Sequence, residues 1–228
     1  MTGLASASAK TRILLDAVRS AEEHMALDER LAREGSPLLR LFGWRGPAFS
    51  LGRRQALPAW LDAERVRADG IELIERPTGG GLACHGTDLS CAVVALMQIG
   101  LRVHALMQRA CEAVAAVCAS FGVRATSMLD VPADRPITIC LAEPSSYAVF
   151  SGARKLAGFA LRRYPQSWLV QGSLLVRPIS KVLLKAMPPS VGQQLLTRAV
   201  SLSEAAGSEL QEHEVAQRWA RLWSEGGA

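Results

Sequence analysis

Short apolar runs of strand length alternate irregularly with longer runs of helical spacing along this chain, with no internal repeat and no stretch of about 18 uncharged apolar residues. That pattern predicts an α+β or α/β fold, a mixed β-sheet flanked by helices. Residues 17–33 predict a helix with Ala21, Met25, Leu27 and Leu31 near one apolar face, stopped by Gly35-Ser36-Pro37. Residues 38–42 and 48–51 predict strands about a turn at 43–47, followed by a short helix over 59–68 and a strand over 71–74. A buried strand at 88–96, a buried helix at 103–121 and a loop at 130–136 come next. Strands are then predicted at 137–141, 148–150, 154–163 and 168–176, and helices at 179–187, 191–197 and 209–224. Residues 1–15 predict a flexible start, and 16–228 a single domain, since one core can serve roughly 100–250 residues.

Composition narrows the function classes. Hydrophobic residues are 49% and charged residues 21%, which suits a packed globule. The net charge is +5 and the pI about 9.2, but the basic residues are interspersed with acidic ones, as in Leu61-Asp62-Ala63-Glu64-Arg65-Val66-Arg67. With aromatics at only 5%, there is no basic stripe with stacking rings, so nucleic acid is not an expected partner; an acidic protein fits the excess equally well. Residues 1–10 lack a signal peptide's apolar core, so the expectation is a cytoplasmic protein with no membrane association. Five cysteines, Cys84, Cys91, Cys111, Cys118 and Cys140, are an odd number without a CxxC pair. Neither a disulfide framework nor a zinc site is favoured, and whether one thiol is reactive stays open.

Three segments could carry chemistry. Arg76-Pro77-Thr78-Gly79-Gly80-Gly81 follows a predicted strand and leads to His85 and Asp88. Three glycines let the backbone approach a ligand and offer N–H groups to it, and Arg76 could supply charge. The run matches neither the Walker nor the dinucleotide pattern, and a mobile hairpin loop is the plainer reading. In Ser151-Gly152-Ala153-Arg154-Lys155-Leu156-Ala157-Gly158, Lys155 reads either as a solvated edge charge or as a site residue, with Gly158 hinting at close approach of backbone or ligand. Cys140, just before Pro144, reads either as a packing residue or as a nucleophile. In the second case Lys155 could lower its thiol pKa if residues 137–141 and the Lys155 strand pair as a hairpin. The four histidines show no metal-binding spacing, and no metal is expected; His24, His104 and His213 read as structural or exposed.

Taken together, four blocks in order make the chain similar to the lipoate ligase, octanoyltransferase and biotin ligase superfamily. They are residues 23–29, residues 47–55, residues 76–88, and Arg154-Lys155-Leu156-Ala157-Gly158 followed by Gln171-Gly172-Ser173-Leu174-Leu175. Residues 140–147 resemble the block before the lysine in the cysteine-dependent octanoyltransferases of the ligase-like branch. By that resemblance Cys140 is the nucleophile, and Lys155 lowers its pKa or polarises the acyl carbonyl. Substrate binding falls to Arg76, Thr78, Gly79, Gly80, Gly81, His85, Gly158, Gln171 and Gly172. The resemblance implies a biotin/lipoate ligase type catalytic fold that moves octanoate from acyl carrier protein through a thioester to a lysine of a lipoyl-domain protein. The acceptor would be the glycine cleavage H protein or an E2 subunit, and no cofactor would be needed. The alternative is an ATP- and magnesium-dependent lipoate ligase using free lipoate, and a third reading is a silent subunit that binds lipoyl domains. Many ligases add a C-terminal accessory domain, and this chain has only a helix after Glu204, which under the resemblance favours the transferase. Glu75, Gly86 and Gln171 depart from the arginine, aspartate and histidine common in relatives, and Gly81 is the ligase-like choice, so the donor stays open.

Overall fold

The structure, a computed structural model, describes residues 11–97, 102–130 and 137–225. Strand β1 (Arg12–Leu15) opens the described chain, so the expected flexible start fails for these residues: they pair in parallel with β2 (Leu38–Phe42), and Ile13 packs against the main core. Residues 1–10, and most of the loop expected at 130–136, lie outside the described residues. Helix α1 (Ala21–Glu34) starts four residues later than its apolar spacing predicts. Ser20 and Glu23 form a capping box there, each side chain bonding the other's backbone N–H, and Gly35 closes the helix in the left-handed conformation.

Strand β3 (Ala48–Leu51), helix α2 (Ala63–Ala68) with Asp62 as its cap, β4 (Glu72–Glu75) and β5 (Ala83–His85) follow. Then come β6 (Asp88–Leu96), α3 (Val103–Ser120) and β7 (Thr126–Met128). The strand expected at 137–141 is not one: Ile139 makes a single bridge to Leu82 and the chain turns at Cys140. Pro144 and the capping of the Thr138 and Ile139 amides by the Glu143 carboxylate shape this segment as a loop. The long hairpin of β9 (Arg154–Arg163) and β10 (Ser167–Leu175) is preceded by β8 (Ala148–Ser151). Helices α4 (Lys181–Lys185), α5 (Pro189–Arg198), α6 (Leu202–Ala206) and α7 (Glu212–Glu225) complete the chain. Among the described residues no helix is long and apolar enough to cross a membrane.

The fold is a mixed sheet flanked by helices, as the sequence predicts. Among the described residues, seven strands run in the order β1-β2-β6-β10-β9-β8-β7, parallel only between β1 and β2, and β4-β3-β5 form a second sheet. Alternation along β6 divides the interior. Leu89, Cys91 and Val93 join Met107, Val114 and Trp219 of α3 and α7 in one core, whereas Ala92 and Val94 face Ala21, Met25 and Ala32 of α1. Each fully buried Leu, Val or Met of these cores contributes about 1.5–3 kcal/mol of apolar transfer free energy, so both faces of β6 hold it in place. The small sheet lies on the α1 side, and the candidate site forms between the two sheets.

Candidate active site

Register fixes the floor of this site. Across the large sheet, Phe42, Ser90, Ser173, Gly158 and Ala148 stand in one row on adjacent strands, and Arg40, Ala92, Gln171 and Ala160 in the next row on the same face. Most of these side chains are small, so a trough opens across the strands. The small sheet roofs it with Ser50, Ala83 and His85, and together the two enclose a cavity of about 340 Å³, the size of a small-molecule pocket. Its deep end is buried and largely aromatic or apolar at Met25, Phe42 and Trp44. Its outer end, at Gly79, Gly80, Cys140, Ser145 and Ser146, is partly open to solvent.

Cys140 and Lys155 meet over Gly158. A Cβ placed on residue 158 would lie 3.0 Å from Cys140 Sγ and 3.4 Å from Lys155 Nζ, so only glycine leaves room for both. Ordinary alternation would send Lys155 to the face opposite Gly158, three residues on. A register shift between Val149 and Phe150 breaks that alternation: Val149 pairs with Ala157 but Phe150 with Lys155, and the extra residue, Leu156, enters the α3 core together with Ala157. The bulge thereby re-aims the lysine. Its ammonium donates to Cys140 O at 2.6 Å, Glu143 O at 3.1 Å and Ser145 Oγ at 2.7 Å. All three N–H bonds are used, at 1% exposure and with no carboxylate partner among the described residues. Lys155 therefore sits beneath the cysteine loop and does not line the cavity. The hairpin that could join it to Cys140 is replaced by this loop clamp.

Of the five thiols, Cys140 alone is not buried. Burial pushes the Cys84 and Cys91 thiols far up, and raises Cys111 and Cys118 to about 12, so these four stay protonated at neutral pH. Arg76 brings a second cation. NH1 donates to Ser50 O and Oγ at 2.9 and 3.2 Å, and NH2 to Gly79 O and Gly81 O at 2.7 and 2.8 Å. The glycine run thus offers two carbonyls to an arginine, with Gly80 at φ +96° between them. Burial lowers the pKa of Arg76, and a charge on Cys140 raises it, which places the guanidinium within electrostatic reach of the thiol.

The other expected residues divide. His85 Nδ1 faces Asp88 Oδ2 at 2.9 Å and its Nε2 faces Ser50 Oγ at 2.8 Å, so both ring nitrogens are engaged. Asp88 is wholly buried, which disfavours its charge, but His85 and the hydroxyls of Ser173 and Ser90 outweigh burial and hold its carboxyl below the ordinary 3.8. Trp44 stacks on His85 with centroids 3.9 Å apart. Gly172 and Gln171 line the cavity, whereas Thr78 does not: its hydroxyl donates to Gln171 Oε1 at 2.7 Å, and Gln171 Nε2 donates to Asp28 Oδ2 at 2.7 Å. Thr78 is thus a support of the wall. Ser145 is a site residue the sequence did not single out. Its oxygen accepts from Lys155, which leaves its hydrogen to donate at the cavity mouth, and the only signal for it was its place five residues after Cys140. Among the described residues no group of three or more His, Cys, Asp or Glu side chains could hold a metal ion.

This arrangement suits covalent acyl chemistry: a partly open thiol beside two buried cations, on the rim of an apolar-ended trough. Comparison with known proteins agrees in kind. Residues 20–222 match the lipoyl protein ligase A/B catalytic domain. The protein named Octanoyltransferase LipM from Symbiobacterium thermophilum is 31% identical over 217 residues, covering 86% of this chain and 78% of that protein. Its namesake from Moorella thermoacetica is 31% identical over 220 residues, covering 88% and 80%. Among solved structures, a lipoate-protein ligase A bound with ATP superposes with a TM-score of 0.76 at 22% identity, covering 95% of this chain and 85% of that one. A putative lipoate protein ligase from T. acidophilum with bound lipoic acid gives 0.75 at 22% identity and the same coverage. At such identities the solved structures establish the fold, and the match over residues 20–222 establishes kinship: this chain belongs to the lipoyl protein ligase A/B catalytic domain family.

Proposed function

We propose that this protein is an acyltransferase that takes an octanoyl group from a thioester donor onto Cys140 and passes it to a lysine amine of a lipoyl-domain protein. The observation that carries this reading is Cys140 itself: the one unburied thiol of five, opening on the cavity beside Lys155 and Arg76. The relatives named as octanoyltransferases support the acyl group and the reaction type.

In the first half-reaction the Cys140 thiolate attacks the donor's carbonyl carbon. The new C–S bond forms as the old one breaks, and the donor leaves as a thiolate that takes up a proton. Lys155, through Cys140 O and Glu143 O, fixes the loop that presents the sulfur. The Ser145 hydroxyl is placed to donate to the oxyanion that develops at the mouth. In the second half-reaction the acceptor's neutral amine attacks the Cys140 thioester, an amide forms as the C–S bond breaks, and the Cys140 thiolate is regenerated with the amine's proton released. The thioester donor supplies the activation, so no cofactor enters; acyl carrier protein is the donor in this reading. The alkyl chain lies in the trough across β9, β10 and β6, where each buried CH₂ contributes about 0.8 kcal/mol.

Intact-mass spectrometry tests the covalent step. Incubation with octanoyl carrier-protein thioester should add one octanoyl group to the wild-type protein without ATP, and none to Cys140→Ala. An ATP requirement, or an adduct that survives in Cys140→Ala, would overturn the reading.

A further inference from the structure

The turn after β3 carries two arginines and packs against the glycine and cysteine loops, whose residues line the open end of the cavity. Arg53 and Arg54 are both exposed, and neither side chain has a hydrogen bond or ion pair among the described residues. Their backbone is held firmly. Arg53 N donates to Thr78 O at 2.8 Å, which ties the turn to the glycine loop, and Gln55 Nε2 donates to Thr138 O at 3.1 Å, which ties it to the cysteine loop two residues before Cys140. Gln55 Oε1 in turn accepts from Gly52 N at 2.9 Å. Gly52 packs so closely beneath Gly80 that a Cβ there would lie 1.9 Å from Gly80 O. Arg54 adopts φ +62°, a left-handed conformation that costs a non-glycine residue free energy and persists only where its surroundings impose it.

The turn that carries these cations is thus held beside both loops of the cavity's open end. Among the described residues no carboxylate is paired with either guanidinium, although Glu143 and Glu75 carry charge on adjoining segments. A guanidinium is a planar fork suited to phosphate oxygens, and this turn carries two on adjacent residues. An acyl thioester carried on a pantetheine arm has its phosphate at the far end of that arm, outside the cavity, when the acyl carbonyl reaches Cys140. We propose that Arg53 and Arg54 form a recognition site for the phosphate of a phosphopantetheine thioester, so that the enzyme selects its donor by the arm's phosphate as well as by the acyl chain. This inference rests on the thioester reading above.

The test compares four donors for single-turnover octanoylation of Cys140 by intact mass: octanoyl-pantetheine, octanoyl-phosphopantetheine, octanoyl-coenzyme A and octanoyl carrier protein. Wild type should use the phosphorylated arms at about tenfold higher kcat/KM than octanoyl-pantetheine, the size expected of one charge-assisted hydrogen bond or slightly more. Raising the salt should shrink that preference, because the site is exposed. The Arg53→Gln/Arg54→Gln variant should lose the preference through KM while handling octanoyl-pantetheine within about twofold of wild type, a control that its fold and Cys140 are intact. Equal use of both small donors by wild type would overturn the inference, as would a parallel loss with all four donors in the variant. A loss confined to the carrier-protein donor would also overturn it, because the arginines would then be reading the protein surface. Acylation by none of the four would sink the thioester reading itself, and the phosphate site with it.

Discussion

Arg40 and Lys155 are both fully buried cations on the same side of the large sheet, and their surroundings differ in one respect. Arg40 sits among acids: its guanidinium bonds Asp16 Oδ2 at 2.8 Å and Asp28 Oδ1, and its second terminal nitrogen meets His24 Nδ1. Lys155 bonds two backbone carbonyls and a hydroxyl. A cation closed off by carboxylates has its field cancelled locally and serves as a brace between β2 and α1. A cation dressed in neutral acceptors keeps a positive potential, which a neighbouring thiolate or a developing oxyanion can use. The contrast separates a structural charge from a chemical one, although by burial and residue type alone the two look alike.

The largest effect should come from breaking the brace. Arg40→Met leaves Asp28 buried without its cation and should cost about 3–5 kcal/mol in urea unfolding, while the protein that remains folded still acylates Cys140. Lys155→Met should do the reverse: a fall of about a hundredfold or more in the rate of Cys140 acylation, with a smaller loss of stability than Arg40→Met. Alkylation of Cys140 by iodoacetamide at pH 7 should slow in step. If both variants lost stability alike and kept their activity, the proposed distinction would be wrong.

Gly158→Ala sharpens the comparison at the chemical cation. Its Cβ would lie 3.2 Å from Lys155 Cε as well as 3.0 Å from the sulfur, so one or both must shift. Acylation should fall about tenfold with little change in thermal midpoint, because misplacement at a reacting centre costs rate before it costs stability. The smallest effect is at the brace and depends on pH. Burial and the neighbouring Arg40 charge lower His24 from an ordinary 6.5 to about 4, and its neutral ring accepts from Arg40 while Nε2 donates to Gly43 O. Between those values the unfolded chain binds a proton that the folded protein refuses, so stability should decline as pH falls from 6.5 to 4. His24→Gln should flatten that decline in urea midpoints measured across the range, and an unchanged slope would show that another group is responsible.

Much of the frame was legible. Strand β9 runs over the residues its pattern predicts, β6 likewise, and α3 ends within one residue of its predicted close. The late start of α1 could have been read from Ser20 and Glu23, whose spacing is a capping box. The elements that escaped, β1, β5, β7 and α6, span three to five residues, too few to show a period. At the site, Cys140, Lys155, Arg76 and the glycines were identifiable by residue type and order. The supporting role of Thr78 was not, because its partner Gln171 lies 93 residues away.

By itself the sequence determined the class of fold, the order of the strands and helices, and the set of residues with nucleophilic or cationic chemistry, because these depend on local periodicity and side-chain type. Only the tertiary structure decided that Lys155 reaches the cysteine loop. One extra residue at Leu156 reverses the strand's alternation, and a bulge is a property of two strands in register, invisible in either alone. It likewise decided which buried cation is spent on carboxylates, since the acids that hold Arg40 stand 12 and 24 residues away in the chain and reach it only through the packing of α1 and β1 on the sheet.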